Sequence, residues 1–257
     1  MKVVILGDVV GNPGRAVLCQ SIRQLKKQYE AEFVIANVEN AADGAGINTK
    51  IGEEMLTAGV DVMTSGNHIY DKKEGIAYIE NQPRLLRPAN YASETPGRGV
   101  WFGATESGTP IAVINLQGRI FMPPTDCPFK MADKLIGEVA SRARIIIVDF
   151  HAEATSEKIA FGRYVDGRVS VVVGTHTHVQ TADEQIFPKG TAYITDLGMT
   201  GPHDSVIGVQ SQVVIQRFLR GMPIRFEPAT GDARVSGVVV EIEEQSGKAI
   251  SIERIQG

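Results

Sequence analysis

The segment VSVVVGTHTH, residues 169–178, organises the chain and decides where its candidate site lies. The apolar run 169–173 predicts a buried strand. Gly174 is expected to let the backbone turn sharply where this strand ends. His176 and His178 then place two imidazoles at the open edge of a sheet, and imidazole is the commonest metal ligand among side chains. The chain has only five histidines, so two at one strand end indicate a metal site.

The N-terminal part repeats this pattern of an apolar strand that ends in polar residues. The runs 2–6, 33–36 and 61–64 are each followed by a polar loop and a helical pattern. This order is typical of βαβ units in a largely parallel sheet. In such sheets, ligands bind beyond the carboxyl ends of the strands. The polar residues that follow these three strands are Asp8, Glu39, Asn40, Asn67 and His68.

The rest of the chain adds strands, helices and two hairpins. The run 144–150 predicts a buried strand that ends in His151, and 191–195 predicts a further strand. Two hairpins are expected, one pairing 100–105 with 111–115 and one pairing 234–243 with 249–255. Helices are predicted from about residue 13, at 49–58, at 73–80, at 129–142, from 155 or 156 to 164, and at 209–220. Because no repeat or linker interrupts the chain, we expect a single domain over residues 1–257.

Three helix starts carry a candidate capping residue. Asn12 precedes Pro13, which suits the first position of a helix. Asn48 or Thr49 is expected to cap the second helix. Thr155 or Ser156 is expected to cap the helix that follows His151.

Composition and charge exclude several classes of protein. The 257 residues are 43% hydrophobic and 22% charged, as in ordinary soluble globular proteins. A net charge of −4 gives no sign of a duplex nucleic acid or a membrane surface as partner. No apolar run approaches the ~20 residues of a membrane span. Cys19 and Cys127 lack a metal-type spacing and are interpreted as free thiols in a reducing compartment. The expected location is therefore the cytoplasm.

The strand ends together offer a set of donors rich enough for two metal ions. Carboxylate, imidazole and amide ligands suit Mn, Fe or Zn, whereas a structural zinc site would be rich in thiolates. Two ions ~3.5–4 Å apart that share a carboxylate serve phosphoryl chemistry. The candidate residues are Asp8, Glu39, Asn40, Asn67, His68, His151, His176 and His178.

Several neighbouring residues have a structural interpretation beside a functional one. His151 is also able to pair with Asp149 or Glu153. Arg119 lies in a Pro-rich loop, 116–128, that is placed where it can line a site, and its guanidinium suits a phosphate. An ordinary surface position is the favoured interpretation of Arg119. His203 is expected to hydrogen-bond Asp204 rather than a metal.

Ordered sequence blocks resemble the calcineurin-like metallophosphoesterase superfamily and, more narrowly, the YmdB-type phosphodiesterase family. The resemblance extends from residue 1 to about residue 208. The blocks are GDVVGNPGR, NVENAADGAGI, SGNH, RPANY, DFHAEATSEK, GTHTHVQTAD and TDLGMTGPHDSVIG. The resemblance implies an α/β fold with two mixed sheets flanked by helices in a four-layer α/β/β/α sandwich. The two hairpins are then expected to build the second sheet.

The resemblance also implies a role for each candidate residue. His68 would be the general acid, and Glu39 would bridge the two metals. The expected substrate is a small phosphodiester, with 2′,3′-cyclic nucleotides favoured, and hydroxide held by the metals would attack phosphorus. Members are usually cytoplasmic homo-oligomers. The implied first metal site is Asp8, Glu39, Asn40 and His178, and the implied second site is Glu39, Asn67, His151 and His176.

Two departures from the superfamily pattern bear on the metal. The usual Asp-x-His block is Asp8-Val9-Val10 here, and the usual bridging aspartate is Glu39. Asn40 is expected to supply the lost donor. Replacing an imidazole by an amide makes the first site richer in oxygen, so we expect Fe or Mn ahead of Zn.

Two other functions remain open at the level of sequence. One is a metal-dependent regulatory or binding protein whose hydrolase activity is incidental. The other is a phosphomonoesterase or protein phosphatase built on the same metal core. A pure binding protein has no need of His68, which weighs against the first of these.

Overall fold

The computed structural model describes residues 1–257, which fold into a mixed α/β structure with three sheets. This confirms the α/β class predicted from the sequence. The strands are β1 (Lys2–Leu6), β2 (Asp8–Val9), β3 (Phe33–Asn37), β4 (Val62–Thr64), β5 (Val100–Ala104), β6 (Pro110–Gln117), β7 (Ile145–His151), β8 (Val171–Thr175), β9 (Gln185–Ile186), β10 (Ala192–Ile194), β11 (Met199–Pro202), β12 (Ala233–Arg234), β13 (Ser236–Ile242) and β14 (Ala249–Gln256).

Six helices connect and cover the strands, close to their predicted positions. Three follow the N-terminal strands, two flank β7, and one lies near the C-terminus. No helix is both long enough and apolar enough to cross a membrane. The helices are α1 (Gly11–Tyr29), α2 (Thr49–Ala58), α3 (Lys73–Asn81), α4 (Pro128–Val139), α5 (Thr155–Val165) and α6 (Ser211–Arg220).

The two larger sheets are mixed rather than wholly parallel. The five-stranded sheet has the order β14-β13-β1-β3-β4, with β1, β3 and β4 parallel and β13 antiparallel to β1. The six-stranded sheet has the order β5-β6-β7-β8-β10-β9, with antiparallel strands only at its two edges. A third, three-stranded sheet of β12, β11 and β2 was not predicted, because its strands are only two to four residues long.

Both predicted hairpins form, but they join different sheets. The hairpin β5–β6 extends the six-stranded sheet, as expected. The hairpin β13–β14 instead continues the five-stranded sheet, because β13 pairs with β1 in register from Lys2 opposite Glu241 to Leu6 opposite Gly237. The expectation that both hairpins build the second sheet is therefore wrong for the C-terminal one.

Three buried apolar clusters hold the sheets and helices together. One lies between the two large sheets and includes Ile5 and Ile147. A second includes Leu18 of α1 and joins the five-stranded sheet to its helices. A third includes Phe161 of α5 and joins the six-stranded sheet to α4 and α5. Burial of apolar surface on both faces of each sheet explains why the strands are nearly continuous apolar runs.

The helix caps agree with the sequence at only one of three positions. Asn48 caps α2, since its Oδ1 accepts from Ile51 N at 3.0 Å. Asn12 does not cap α1, which already begins at Gly11 and has Val10 at the N-cap. At α5 the N-cap is Ala154, without a capping side chain. In both helices the N-cap lies before the predicted polar residue.

Candidate metal centre

The carboxyl ends of strands from both large sheets meet at one place. Asp8, Glu39 and Asn67 follow β1, β3 and β4, while His151 ends β7 and His176 follows β8. His151 Nε2 lies 3.1 Å from Glu39 Oε1 and 3.0 Å from Asn67 Oδ1. It also lies 3.0 Å from His176 Nδ1. Residues more than 100 positions apart thus form one contiguous cluster.

The other candidates lie beside this cluster. Asn40 Nδ2 is 3.2 Å from His178 Nε2, which is 3.8 Å from Asp8 Oδ1. The backbone amide of His68 donates to Glu39 Oε2 at 3.1 Å. The structure therefore brings together all eight residues that the sequence singled out.

The cluster offers donors in a geometry that fits a cation. One ligand atom each of Glu39, His151 and His176 lie within 4.8 Å of one another. Asp8 is wholly buried, yet its Oδ1 has no hydrogen-bond partner. A buried carboxylate oxygen without a partner is costly unless a cation compensates it. These observations fit the metal ions that the donor set predicts.

The pKa values show how the charges of the cluster are coupled. Burial would raise the pKa of Glu39, but the positive charge and hydrogen bond of His151 lower it to about 2. Burial would lower the pKa of His151, but the Glu39 carboxylate raises it to about 9. Glu39 and His151 thus form a buried ion pair in which each charge stabilises the other. A metal that binds His151 would displace a proton from it.

Two further groups have pKa values shifted mainly by burial. Loss of solvation raises the pKa of Asp8 to about 6, against the opposing charges of His178 and His151. Loss of solvation, together with the charge of His151, lowers the pKa of His176 to about 3. His176 is thus neutral near neutral pH, which is the form that binds a metal.

The loop that carries His176 and His178 has an unusual backbone. Their φ angles are 100° and 64°, in the left-handed region that residues other than glycine seldom adopt. Gly174, by contrast, lies inside β8, and its φ is not positive. A Cβ at Gly174 would collide with the carbonyl oxygen of Thr195. The glycine is therefore needed for close packing of β8, and the expected turn occurs at the histidines.

A buried ion pair that sequence reasoning missed holds this loop. Lys158 Nζ donates to Asp196 Oδ2 at 2.7 Å and to the carbonyl oxygen of Thr175 at 2.8 Å. The same carboxylate oxygen accepts from the amide and the hydroxyl of Thr177, at 3.1 and 2.7 Å. Both charged side chains are almost fully buried. Lys158 and Asp196 thus fix the residues on either side of His176.

A second buried carboxylate orients His151. Thr175 Oγ1 donates to Asp149 Oδ1 at 2.7 Å and lies 2.9 Å from His151 Nδ1. The pairing considered between His151 and Asp149 is therefore indirect, through a hydroxyl. Glu153, the other partner considered, lies 3.2 Å from His176 Nε2 instead. Such outer contacts orient an imidazole so that its other nitrogen faces the ligand position.

The donors open into a cavity of about 520 Å³. Its polar lining residues include Glu39, His68 and His176, and its apolar lining residues include Val209 and Phe226. Two depressions are larger. One of about 800 Å³ near Ser107 and Arg144 contains none of the clustered residues, and one of about 860 Å³ near His203 contains only His178. The candidate chemistry is therefore assigned to the smaller cavity, which is lined by Glu39, Asn40, His68, His176 and His178.

Four other expectations have clear outcomes. No residue of the loop 116–128 lines this cavity, so the loop does not shape the site as expected. Arg119 is exposed, in agreement with the favoured surface interpretation. His203 Nε2 lies 3.1 Å from the carbonyl oxygen of Met199, rather than hydrogen-bonding Asp204. Cys19 and Cys127 are free thiols, as expected.

Removing the Lys158 charge should destabilise the protein strongly. Lys158→Met leaves the Asp196 charge buried without its partner, which costs about 3–5 kcal/mol. Lys26→Met is the matched control, because Lys26 pairs with the exposed Glu106, and such pairs contribute only about 0–1 kcal/mol. Urea unfolding measures both free energies. Equal losses in the two variants would contradict a structural role for the buried pair.

Comparison with known proteins extends the similarity over nearly the whole chain. Residues 4–255 match the sequence model of the family described as YmdB-like protein. A 2′,3′-cyclic-nucleotide 2′-phosphodiesterase from Bacillus subtilis (strain 168) is 52% identical over 255 residues, 99% of this chain and 96% of that protein.

Two solved structures are similar over the whole chain. A hypothetical protein from Thermus thermophilus has a TM-score of 0.94 at 40% identity, covering 100% of this chain and 99% of its own. A novel phosphatase from Mycoplasma pneumoniae has a TM-score of 0.94 at 39% identity, covering 100% of this chain and 93% of its own. Identities this high over these lengths extend the similarity from the fold to the family.

Proposed function

The chain belongs to the YmdB-like protein family, and from this premise we propose that it is a metal-dependent phosphodiesterase acting on 2′,3′-cyclic nucleotides. The observation that carries the proposal is the cluster of carboxylate, amide and imidazole donors at one sheet edge, with the unpartnered Asp8 oxygen among them. The relative from Bacillus subtilis bears the name of this activity. Neither the purely regulatory function nor the monoesterase function is favoured by any of these observations.

The donor set fits two metal ions that share Glu39. Asp8, Asn40 and His178 would hold one ion, and Asn67, His151 and His176 would hold the other. When bound, such ions lower the pKa of water and neutralise charge on phosphoryl oxygens. Fe or Mn is preferred to Zn because the first position is rich in oxygen and amide donors.

His68 is the proposed general acid. Its Nδ1 lies 2.7 Å from Asp71 Oδ2, and this contact orients the ring. Its amide is held by Glu39, and its side chain lines the cavity with 41% of its surface exposed. His68 holds a proton at Nε2 and donates it to the departing ribose oxygen.

The finer architecture and setting are also part of the proposal. The three apolar clusters are consistent with a four-layer α/β/β/α sandwich that forms one domain over residues 1–257. Helix α6 exposes Phe218 and Leu219, an apolar surface suited to a second copy of the chain. This surface supports the proposal that the protein is a homo-oligomer. A cytoplasmic location is proposed from the resemblance to the family and from the two free cysteines.

Hydrolysis of 2′,3′-cyclic AMP with Mn²⁺ tests the activity directly. The expected result is cleavage that stops after treatment with EDTA and returns when Mn²⁺ is added back. A phosphomonoester, p-nitrophenyl phosphate, serves as the comparison substrate and is expected to react poorly. Faster cleavage of the monoester than of the cyclic diester would contradict the proposal.

Glu39→Gln should remove metal and activity together. The substitution keeps the shape of the side chain but removes the anionic charge shared by both positions. The measurement is metal content by mass spectrometry after loading and desalting, alongside turnover. Glu94→Gln is the matched control, because Glu94 is exposed and lies outside the cavity. Full metal content in the Glu39 variant would exclude its bridging role.

His68→Ala should keep the metals and lose turnover. Loss of a general acid lowers kcat by about 10²–10⁴-fold. The same variant should retain more activity on a diester with an acidic leaving group, such as bis(p-nitrophenyl) phosphate, which needs little protonation. An equal loss on both substrates would argue that His68 does not act as the acid.

A further inference from the structure

One aromatic ring shares the cavity with the metal-binding donors. Phe226 lines it together with His68, His176 and His178, and 43% of its surface remains exposed. None of the contacts described for the metal centre involves this residue. Partly exposed aromatic rings in a ligand cavity provide a large, rigid contact surface.

The ring also contacts a residue that does not line the cavity. The guanidinium carbon of Arg217, in α6, lies 4.7 Å from the centroid of Phe226. This distance is typical of a cation–π contact, which covers one face of the ring. Phe226 thus has this contact outside the cavity and also lines the cavity with part of its surface.

The backbone joins Phe226 to the metal centre. Gln210 N donates to the carbonyl oxygen of Glu227 at 3.0 Å, and Ala229 N donates to that of Gly208 at 2.9 Å. His178 Nδ1 lies 2.9 Å from the carbonyl oxygen of Ile207 in the same segment. The segment 207–210 therefore contacts both His178, a proposed metal ligand, and the segment 227–229 that directly follows Phe226.

The cavity is lined by two chemically different groups of residues. One group carries carboxylate, amide and imidazole side chains, and the other is apolar. The apolar residues are Val10, Ala45, Ile207, Val209, Phe226 and Pro228. The volume of about 520 Å³ lies within the range of roughly 300–1,000 Å³ that is typical of small-molecule sites. A nucleotide has the same division into an anionic phosphate and a flat, largely apolar base.

We infer that Phe226 is the platform on which the nucleobase of the substrate stacks while its phosphate lies at the metal centre. This inference rests on the proposed function and adds the subsite that binds the base. Stacking on an aromatic ring tolerates any base, because every base has a π face. Purines are expected to bind better than pyrimidines because they present a larger face.

Kinetics of the metal-loaded enzyme on two substrates test this subsite. The substrates are 2′,3′-cyclic AMP and the base-free ribose 2′,3′-cyclic phosphate. Phe226→Ala should raise KM for the nucleotide about tenfold, the lower part of the range for loss of one base stack. The preference in kcat/KM for the nucleotide over the base-free diester should shrink by the same factor.

Three further variants separate stacking from other effects. Phe226→Leu keeps an apolar side chain without a π face and should behave like Phe226→Ala. Phe226→Tyr keeps the ring and should keep the preference. Phe121→Ala removes a ring that is 90% exposed and lies outside the cavity, and it should leave both substrates unaffected. A preference in Phe226→Ala and Phe226→Leu equal to that of the wild type would overturn the inference.

A binding measurement separates failure of this inference from failure of the proposed function. Saturation-transfer NMR with chelator-treated protein reports contact between adenine protons of 2′,3′-cyclic AMP and the protein. If the wild type shows no hydrolysis but shows this contact, and Phe226→Ala loses it, the base subsite stands and the proposed activity fails. If hydrolysis is present but the contact is unchanged in Phe226→Ala, the activity stands and the base subsite fails.

Discussion

Face-to-face packing of the two large sheets is the constraint on which the site depends. The buried cluster between them, with Ile5 on one sheet and Ile147 on the other, sets their relative position. As a result, Glu39 and His151 meet at 3.1 Å although each belongs to a different sheet. Neither sheet alone carries a complete set of donors. The candidate metal centre is therefore a property of the interface between the sheets, and its geometry is only as rigid as that interface.

Buried polar groups outside the cavity hold the donor residues in position. Lys158 and Asp196 hold the loop of His176 and His178, while Asp149 orients His151 through the hydroxyl of Thr175. None of these groups lines the cavity. They nevertheless keep the donors in place against unfavourable burial and a strained backbone. Buried charges and left-handed backbone at the site are unfavourable for the folded state. Packing of the surrounding core compensates this free-energy cost.

The sequence predicted the donors but not their supports, for a physical reason. Donors such as Asp8 and His151 lie at the ends of apolar runs, and local periodicity is enough to place strand ends at one edge of a sheet. Lys158 and Asp196 are separated by 38 residues and become partners only when α5 packs beside β10. Asp149 interrupts an apolar strand, which is a local signal of a buried polar role. The sequence also did not predict which sheet the hairpin β13–β14 joins. That choice depends on the long-range pairing of β13 with β1, which local periodicity does not encode.

The pairing of β1 with β13 has a consequence for synthesis of the chain. Val4 lies opposite Val239, so one edge of β1 lacks its partner until more than 230 further residues have been made. At 5–20 residues per second, this delay lasts about 10–50 s. An apolar strand with an open edge is a template for aggregation. During that interval, the nascent chain depends on α1 and β3 to cover β1, or on a chaperone that shields its free edge.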